Sequence, residues 1–371
     1  MERAYIFVDN LRIGGFQRLA LDQAYALGDR GFRTTIYVLD ELPSVNIPNF
    51  LDSERFLLAS QHVELVSIGN SRVGQLARIN KIFKSQKPPT LILSHSLRAT
   101  FLLQVASWVR FKRLRVITTI HQLPTLSAPR QRLQRFIYAQ FTWRLLAYSK
   151  AVKADWDARA ASNFIFKTMV ARRRISVLRN GIYLKRLPIN VNQSNESPRG
   201  RLIYLGRNTA WKGVTTFLEI ACRPELLHFD MLFMIPDQKD LDIQELPLEV
   251  RNRIQVVAGK PISSYIPRHG DVHLYPANYG PDAKFVESVS LNCLELACLG
   301  VPTILTKNGL GTWPDLANAS IFYQTDWIDH ALIAKEILRV SQVEFSDLEI
   351  QKLAEIIDIQ NQISNLLALA D

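Results

Sequence analysis

Short β-branched runs alternate with amphipathic segments through the first half of this chain, and nothing else in the sequence constrains the fold as strongly. Strands are expected at Ala4–Asp9, Thr34–Leu39, Val63–Val66, Thr90–Ser94, Arg115–Ile120, Leu145–Ser149 and Ile175–Leu178. Helical periodicity marks Gln17–Arg30, Val73–Ser85, Ala99–Val109, Arg130–Trp143 and Ala151–Ala161 between them. Such alternation predicts a parallel sheet with helices on both faces. Residues 184–200, LKRLPINVNQSNESPRG, lose apolar periodicity and concentrate Pro, Asn and Ser, as a linker does. A second cycle follows, with strands expected at Arg201–Leu205, Asp230–Met234, Ile254–Val257, Val272–Tyr275, Thr303–Leu305 and Ile321–Tyr323. Its helices are expected at Lys212–Cys222, Leu291–Leu299 and Trp327–Val340, and one or two more from Ser346 onward. With 371 residues the chain exceeds one ordinary core. The expected division is therefore a first domain over 1–183, the linker, a second domain over 201–345 and terminal helices over 346–371.

Charge narrows the surroundings in which such a chain works. Residues 65–186 hold 24 Lys and Arg against only Asp155 and Asp157, a net of +22, while the rest of the chain nets −11. No acidic side chain occurs from Leu65 through Ala154. Solubility alone does not require that segregation, which points to an anionic surface or acceptor. Two basic segments, around Arg78, Lys81 and Lys84 and around Arg130, Arg135 and Arg144, are amphipathic, favouring interfacial attachment. The longest apolar run, Phe101–Val109, is interrupted by Gln104 and Ser107, so no spanning helix is expected. A strand begins almost at the first residue, which predicts no signal peptide and a cytoplasmic setting. Cys222, Cys293 and Cys298 fit neither a zinc site nor a disulfide framework and read as small buried side chains. No nucleic-acid motif accompanies the basic residues.

In parallel α/β sheets, ligands collect beyond the carboxyl ends of the strands. Gly14, Gly15, His95, His121, Arg207 and Glu287 all fall just past expected strands, and two facing domains would gather them in one cleft. In LIYLGRNTAWKG, Arg207 and Lys212 flank a strand-to-helix junction, where they supply fixed positive charge. In KFVESVSLNCLELACLGVP, Glu287 and Glu295 stand eight apart around a helix opening at Ser288, Val289 and Ser290. That opening offers unpaired N–H groups to an anion. Cations, a helix start and two carboxylates suited to sugar hydroxyls describe a nucleotide-sugar better than a free phosphate or ATP.

These segments resemble the retaining glycosyltransferases of family 4, which have the GT-B fold of two Rossmann-like domains facing a central cleft. DNLRIGGFQRLALDQAYALGDRG is similar to the family's opening Gly-Gly loop and first helix, and VITTIHQL to its strand ending in histidine. ISVLRNGI, GRNTAWKG and ESVSLNCLE resemble its Asn-Gly, Gly-Arg-x4-Lys-Gly and Glu-x7-Glu elements, all in the family's order. The resemblance implies that Gly14 and Gly15 lie near the donor phosphates and His121 beside the reacting sugar. It implies that Glu287 contacts the transferred sugar and Glu295 the ribose. Arg18, on the first turn of its helix, is placed on the acceptor or membrane side with Arg78, Lys81 and Lys84.

The expected reaction is retaining transfer from a UDP- or GDP-linked sugar to a hydroxyl of a lipid-linked or polysaccharide acceptor, at the cytoplasmic membrane face. No metal or organic cofactor is expected. The Asp-x-Asp pairs Asp155/Asp157 and Asp240/Asp242 do not follow buried strands, as a metal-diphosphate site should. Val289-Ser290 stands where the family has Phe-Gly, and Asp315 where it has a glutamate, which leaves the donor sugar open. A nucleotide-sugar epimerase of the same architecture and a non-catalytic GT-B-like binding protein are the alternatives.

Overall fold

A computed structural model of the chain describes residues 1–11, 14–40, 50–69, 71–85, 89–109, 114–120, 144–147, 153–154, 175–189, 199–207, 212–236, 243–244, 246–277, 289–306, 316 and 319–370. Both Asp-x-Asp pairs, Asp315 and the expected helix at Arg130–Trp143 lie outside them, as does all but 153–154 of that at Ala151–Ala161. The chain divides into two compact units, residues 1–183 with 359–371 and residues 184–358.

Seven parallel strands form the sheet of the first unit: β1 (Arg3–Val8), β2 (Arg33–Val38), β3 (Val63–Ser67), β4 (Leu91–Ser94), β5 (Val116–Ile120), β6 (Arg144–Ala147) and β7 (Ile175–Val177). Their order is β3-β2-β1-β4-β5-β6-β7, so successive strands build outward to one side and then the other of the β1–β4 pair. Helices α1 (Gly15–Asp29), α2 (Phe50–Ser60), α3 (Arg72–Ser85) and α4 (Leu97–Val109) are described among the crossovers. Aromatic residues two apart on β1 meet Tyr37 of β2, Phe7 stacking at 4.9 Å and Tyr5 meeting it edge-on at 5.2 Å. Leu76, Ile82 and Phe83 of α3 pack against that core, whereas Val73 is exposed.

In the second unit, β8 (Arg201–Leu205), β9 (Asp230–Ile235), β10 (Ile254–Ala258), β11 (Val272–Tyr275), β12 (Thr303–Thr306) and β13 (Phe322–Thr325) form a parallel sheet ordered β10-β9-β8-β11-β12-β13. Described helices are α5 (Val214–Ala221), α6 (Leu248–Arg251), α7 (Leu291–Cys298), α8 (His330–Val340) and α9 (Asp347–Ile357). Tyr204, Phe217 and Phe233 form an aromatic triad in its core with centroids 5.0–5.6 Å apart. α9 opens on a capping box between Ser346 and Glu349 and groups with this unit. α10 (Ile359–Ala370) groups with the first unit, where the Ile359 N–H donates to the Ile182 carbonyl at 3.0 Å. Among the described residues, no helix is long and apolar enough to cross a membrane.

The periodicity did not predict α2, and the reason is visible in its packing. Glu54 points inward, 3% exposed, while Phe56 is 79% exposed, which inverts the apolar-in rule used to find helices. Cys293 and Cys298 are buried, and burial pushes the Cys298 thiol up to about 12.

Candidate functional site

The second sheet changes direction between β8 and β11, the place where an open α/β sheet leaves a crevice beyond its carboxyl edge. Gly206 and Arg207 leave β8 there, and Pro276 and Ala277 leave β11. Gly206 has a φ of 152° and its N–H donates to the Met234 carbonyl at 3.1 Å. The Tyr204 hydroxyl donates to the Arg207 carbonyl at 2.9 Å, fixing the main chain that carries the exposed guanidinium.

Lys212 enters from the other side of the same junction. It is 9% exposed, its ammonium donates to the Tyr275 hydroxyl, and Nζ lies 4.8 Å from that ring's centre. Gly213 comes next with a φ of 72°, and a Cβ built there falls 2.1 Å from the Pro276 carbonyl oxygen. The Lys-Gly pair thus unites a cation with the only residue type that lets α5 start this close to β11. Beneath them His273 is fully buried, with Nδ1 3.2 Å from Thr303 Oγ1. Burial, with the Lys212 charge, pushes its pKa down to about 3, so it is neutral at ordinary pH.

α7 completes this edge. Ser290 is its N-cap, accepting from the Cys293 N–H at 3.4 Å, and Val289 before it is buried. Asn292, on the first turn, donates to the Leu205 carbonyl at 3.0 Å. That bond joins the helix start to the end of β8 and so to the Arg207 loop. Glu295 lies in the interior of α7, 3% exposed, and is ion-paired with Arg186. Glu287 and Ser288 lie outside the described residues.

Sequence spacing missed Tyr275, Asn292 and Arg186. Tyr275 carried a usable signal, a polar-tipped aromatic just before proline at a strand end. Arg186 carried none, because its partner is 109 residues away.

In the first unit, Gly14 caps α1 in an extended conformation, φ 178°. A Cβ on Gly15 would meet nothing within 4 Å, which leaves the start of α1 open. Arg18, expected on the acceptor or membrane side, is buried among carboxylates. Its Nη2 and Nη1 lie 2.7 Å from Asp22 and Glu54, and Tyr25 donates to Glu54 at 2.8 Å. Burial opposes the charge, but the two carboxylates outweigh it and hold the guanidinium above its usual pKa. Arg18 is an internal counter-ion because α2 brings Glu54 inward.

The Arg78 guanidinium donates to the Ile68 carbonyl at 2.7 Å, while Arg78, Lys81 and Lys84 are exposed along α3. His121 lies outside the described residues. At the β1–β4 switch point, Ser96 donates to Asp9 at 2.6 Å and accepts from the Ala99 N–H at 3.0 Å. His95 is held by Gln23 at 2.8 Å, and burial pushes its pKa down to about 4. Gln23 in turn donates to Gln362 of α10 at 3.1 Å. No group of three or more His, Cys, Asp or Glu that would hold a metal occurs among the described residues.

Residues 13–186 match the family model described as Glycosyltransferase Family 4. No curated protein matches the chain. Among solved structures, Alr3699/HepE of Anabaena in complex with UDP shares 16% identity at a TM-score of 0.66, with 99% of this chain and 100% of that one covered. The lipopolysaccharide outer core galactosyltransferase WaaB in its apo form shares 12% at 0.62, with 99% of each chain covered. An α-glucosyltransferase in complex with UDP and a 13-mer DNA containing a HMU base shares 13% at 0.67, covering 100% of this chain and 99% of that one. At these identities the likeness is one of fold, and that fold is GT-B.

Proposed function

We propose that this chain, whose residues 13–186 match the Glycosyltransferase Family 4 model, is a glycosyltransferase that moves a sugar, with retention, from a UDP- or GDP-linked donor to a hydroxyl of a lipid-linked or polysaccharide acceptor. The observation that supports the reading is that Arg207 follows β8, Lys212 bonds Tyr275 of β11, and the first turn of α7 bonds the end of β8, all along the β8–β11 switch point. In the reaction the bond from the anomeric carbon to the diphosphate oxygen breaks and a bond to the acceptor oxygen forms. The acceptor proton leaves with the phosphate. Negative charge grows on the diphosphate, and cations already fixed before the reaction act most strongly on charge that develops. Arg207 offers a fork suited to two phosphate oxygens, Lys212 a compact point charge, and α7 its first N–H groups. Glu287 is assigned to the transferred sugar and Glu295 to the ribose, with His121, Gly14 and Gly15 near the reacting centre.

UDP in HepE and in the α-glucosyltransferase favours a uridine donor here. The enzyme is assigned to the cytoplasmic face of an anionic membrane. α3 and α4 pack together, and among their exposed side chains are Val73, Phe101, Trp108 and Val109 with Lys81 and Lys84, without a nearby acid in sequence. Apolar side chains among cations suit an interface of headgroups and acyl chains.

A panel of UDP-, GDP- and ADP-sugars, with lipid-linked and polysaccharide acceptors and excess EDTA, tests the whole reading. Acceptor-dependent nucleotide release is expected, with the donor's anomeric configuration kept in the product by NMR. Loss of transfer on chelation, or an inverted product, would refute the metal-independent retaining mechanism. Donor binding without transfer to any acceptor would favour a binding protein.

A further inference from the structure

Arg186 belongs to none of the motifs that define the site, yet it reaches one of its two glutamates. It closes the one-turn 3-10 helix Leu184–Arg186, between the buried residues Tyr183 and Leu187. Its Nη2 donates to the Glu295 carboxylate in α7, and the two side chains are only 3% and 5% exposed. Such burial is a weak way to stabilise a fold. Desolvation costs several kcal/mol per ion, and exchanging a buried pair for apolar residues of similar volume is often neutral or stabilising. The surroundings are already apolar, since Leu291, Leu294 and Leu296 on the same helix are buried. The pair does supply orientation. A planar guanidinium holds a carboxylate in one plane, and a carboxylate has about four lone-pair sites, more than a single guanidinium fills.

We infer that Arg186 is a positioning residue that sets the Glu295 carboxylate to accept the neighbouring hydroxyls of the donor's ribose. The inference rests on the reading that Glu295 contacts the ribose, and deepens it by naming what aims that carboxylate. A glutamate side chain has three rotatable bonds, and without a partner its oxygens would not hold the spacing of two adjacent hydroxyls. Arg186 fixes them before the nucleotide arrives.

Calorimetry with UDP, GDP and ADP, each beside its 2′,3′-dideoxy counterpart, tests this on the full chain. In the unaltered protein the tightest ribonucleotide is expected to bind at least about tenfold better than its dideoxy form, as for hydrogen bonds to a charged acceptor. Arg186→Met should bring that ratio to within about twofold of one while leaving dideoxy affinity nearly unchanged. Arg186→Lys should restore part of the ratio. The double variant Arg186→Met/Glu295→Met should melt no lower than Arg186→Met yet show no discrimination, which separates positioning from stability. Should Arg186→Met fail to fold, the lysine and double variants carry the test. If Arg186→Met keeps the full ratio while Glu295→Gln loses it, the role of Arg186 is wrong and the ribose assignment stands. If Glu295→Gln keeps the ratio, the ribose assignment fails and the inference falls with it.

Discussion

Lys212 ends on the Tyr275 hydroxyl rather than in solvent, and that contact changes what a lysine can do at this edge. Its four-carbon stem carries about 2 kcal/mol of rotamer entropy, part of which is lost before a phosphate arrives. Replacing Lys212 or Arg207 with Ala should lower turnover by about two orders of magnitude, as for a lost transition-state donor. Wild-type turnover in a folded variant would remove that residue from the clamp. His95 makes a separate prediction about pH. Its folded pKa of about 4 lies below the ordinary 6.5, so the unfolded chain takes up more protons as pH falls through 6.5. Stability is therefore lost between pH 6.5 and about 4, by roughly 3 kcal/mol at the acid end. Thermal melts across that range should show a shallower fall for His95→Gln than for the unaltered protein, and parallel curves would contradict the assignment. Gln23, the partner of His95, was not legible in the sequence. Contacts such as Arg18 with Glu54, 36 apart, or Arg186 with Glu295 follow from how helices dock, and local spacing does not encode them.

A strand-to-helix junction is the unit in which the Lys-Gly motif makes sense. Gly213 combines a left-handed φ with a near approach to the Pro276 carbonyl, so Gly213→Ala adds strain and collision together. The left-handed conformation alone costs an alanine about 1–2 kcal/mol. Urea unfolding should show a loss of at least about 2 kcal/mol, with activity reduced because Lys212 moves with the backbone. An alanine variant as stable as the parent would mean that α5 can start further from β11. Elements of this kind were largely readable. β8 and β11 are apolar, β-branched or aromatic runs closed by Gly206 and Pro276, so periodicity and punctuation agree. α2 was unreadable because the rule that finds helices assumes that charge faces out, and Glu54 faces in. The residues proposed for the anion site, Arg207, Lys212 and the α7 start, stand out in the sequence as types because ligands collect at the carboxyl ends of strands in every parallel α/β sheet. What supports those residues does not.

Over the whole molecule, the separation of +22 in residues 65–186 from −11 elsewhere predicts salt-sensitive membrane binding. Each Lys or Arg near an anionic surface contributes on the order of 1 kcal/mol, fading within a Debye length of about 8 Å. Sedimentation with phosphatidylglycerol vesicles should show binding that falls steeply with salt and is negligible on phosphatidylcholine. Lys81→Ser with Lys84→Ser should weaken it, and indifference to anionic vesicles at low salt would end the membrane assignment. The terminal helix sets another property of the whole chain. α10 buries Ile359, Ile363 and Leu366 within the first unit, and Gln362 bonds both Gln23 and the Arg179 carbonyl. Deleting 359–371 should therefore speed amide exchange in α1 more than in α8 of the second unit, and equal protection with and without the tail would show that α10 is dispensable. The same arrangement has a meaning for biosynthesis. A domain that starts at β1 waits for α10, which is made only after the whole of the second unit, and at about 5–20 residues per second that wait lasts on the order of ten seconds or more. Throughout it, the apolar side of α1 that α10 later covers stays open to chaperones and to neighbouring nascent chains.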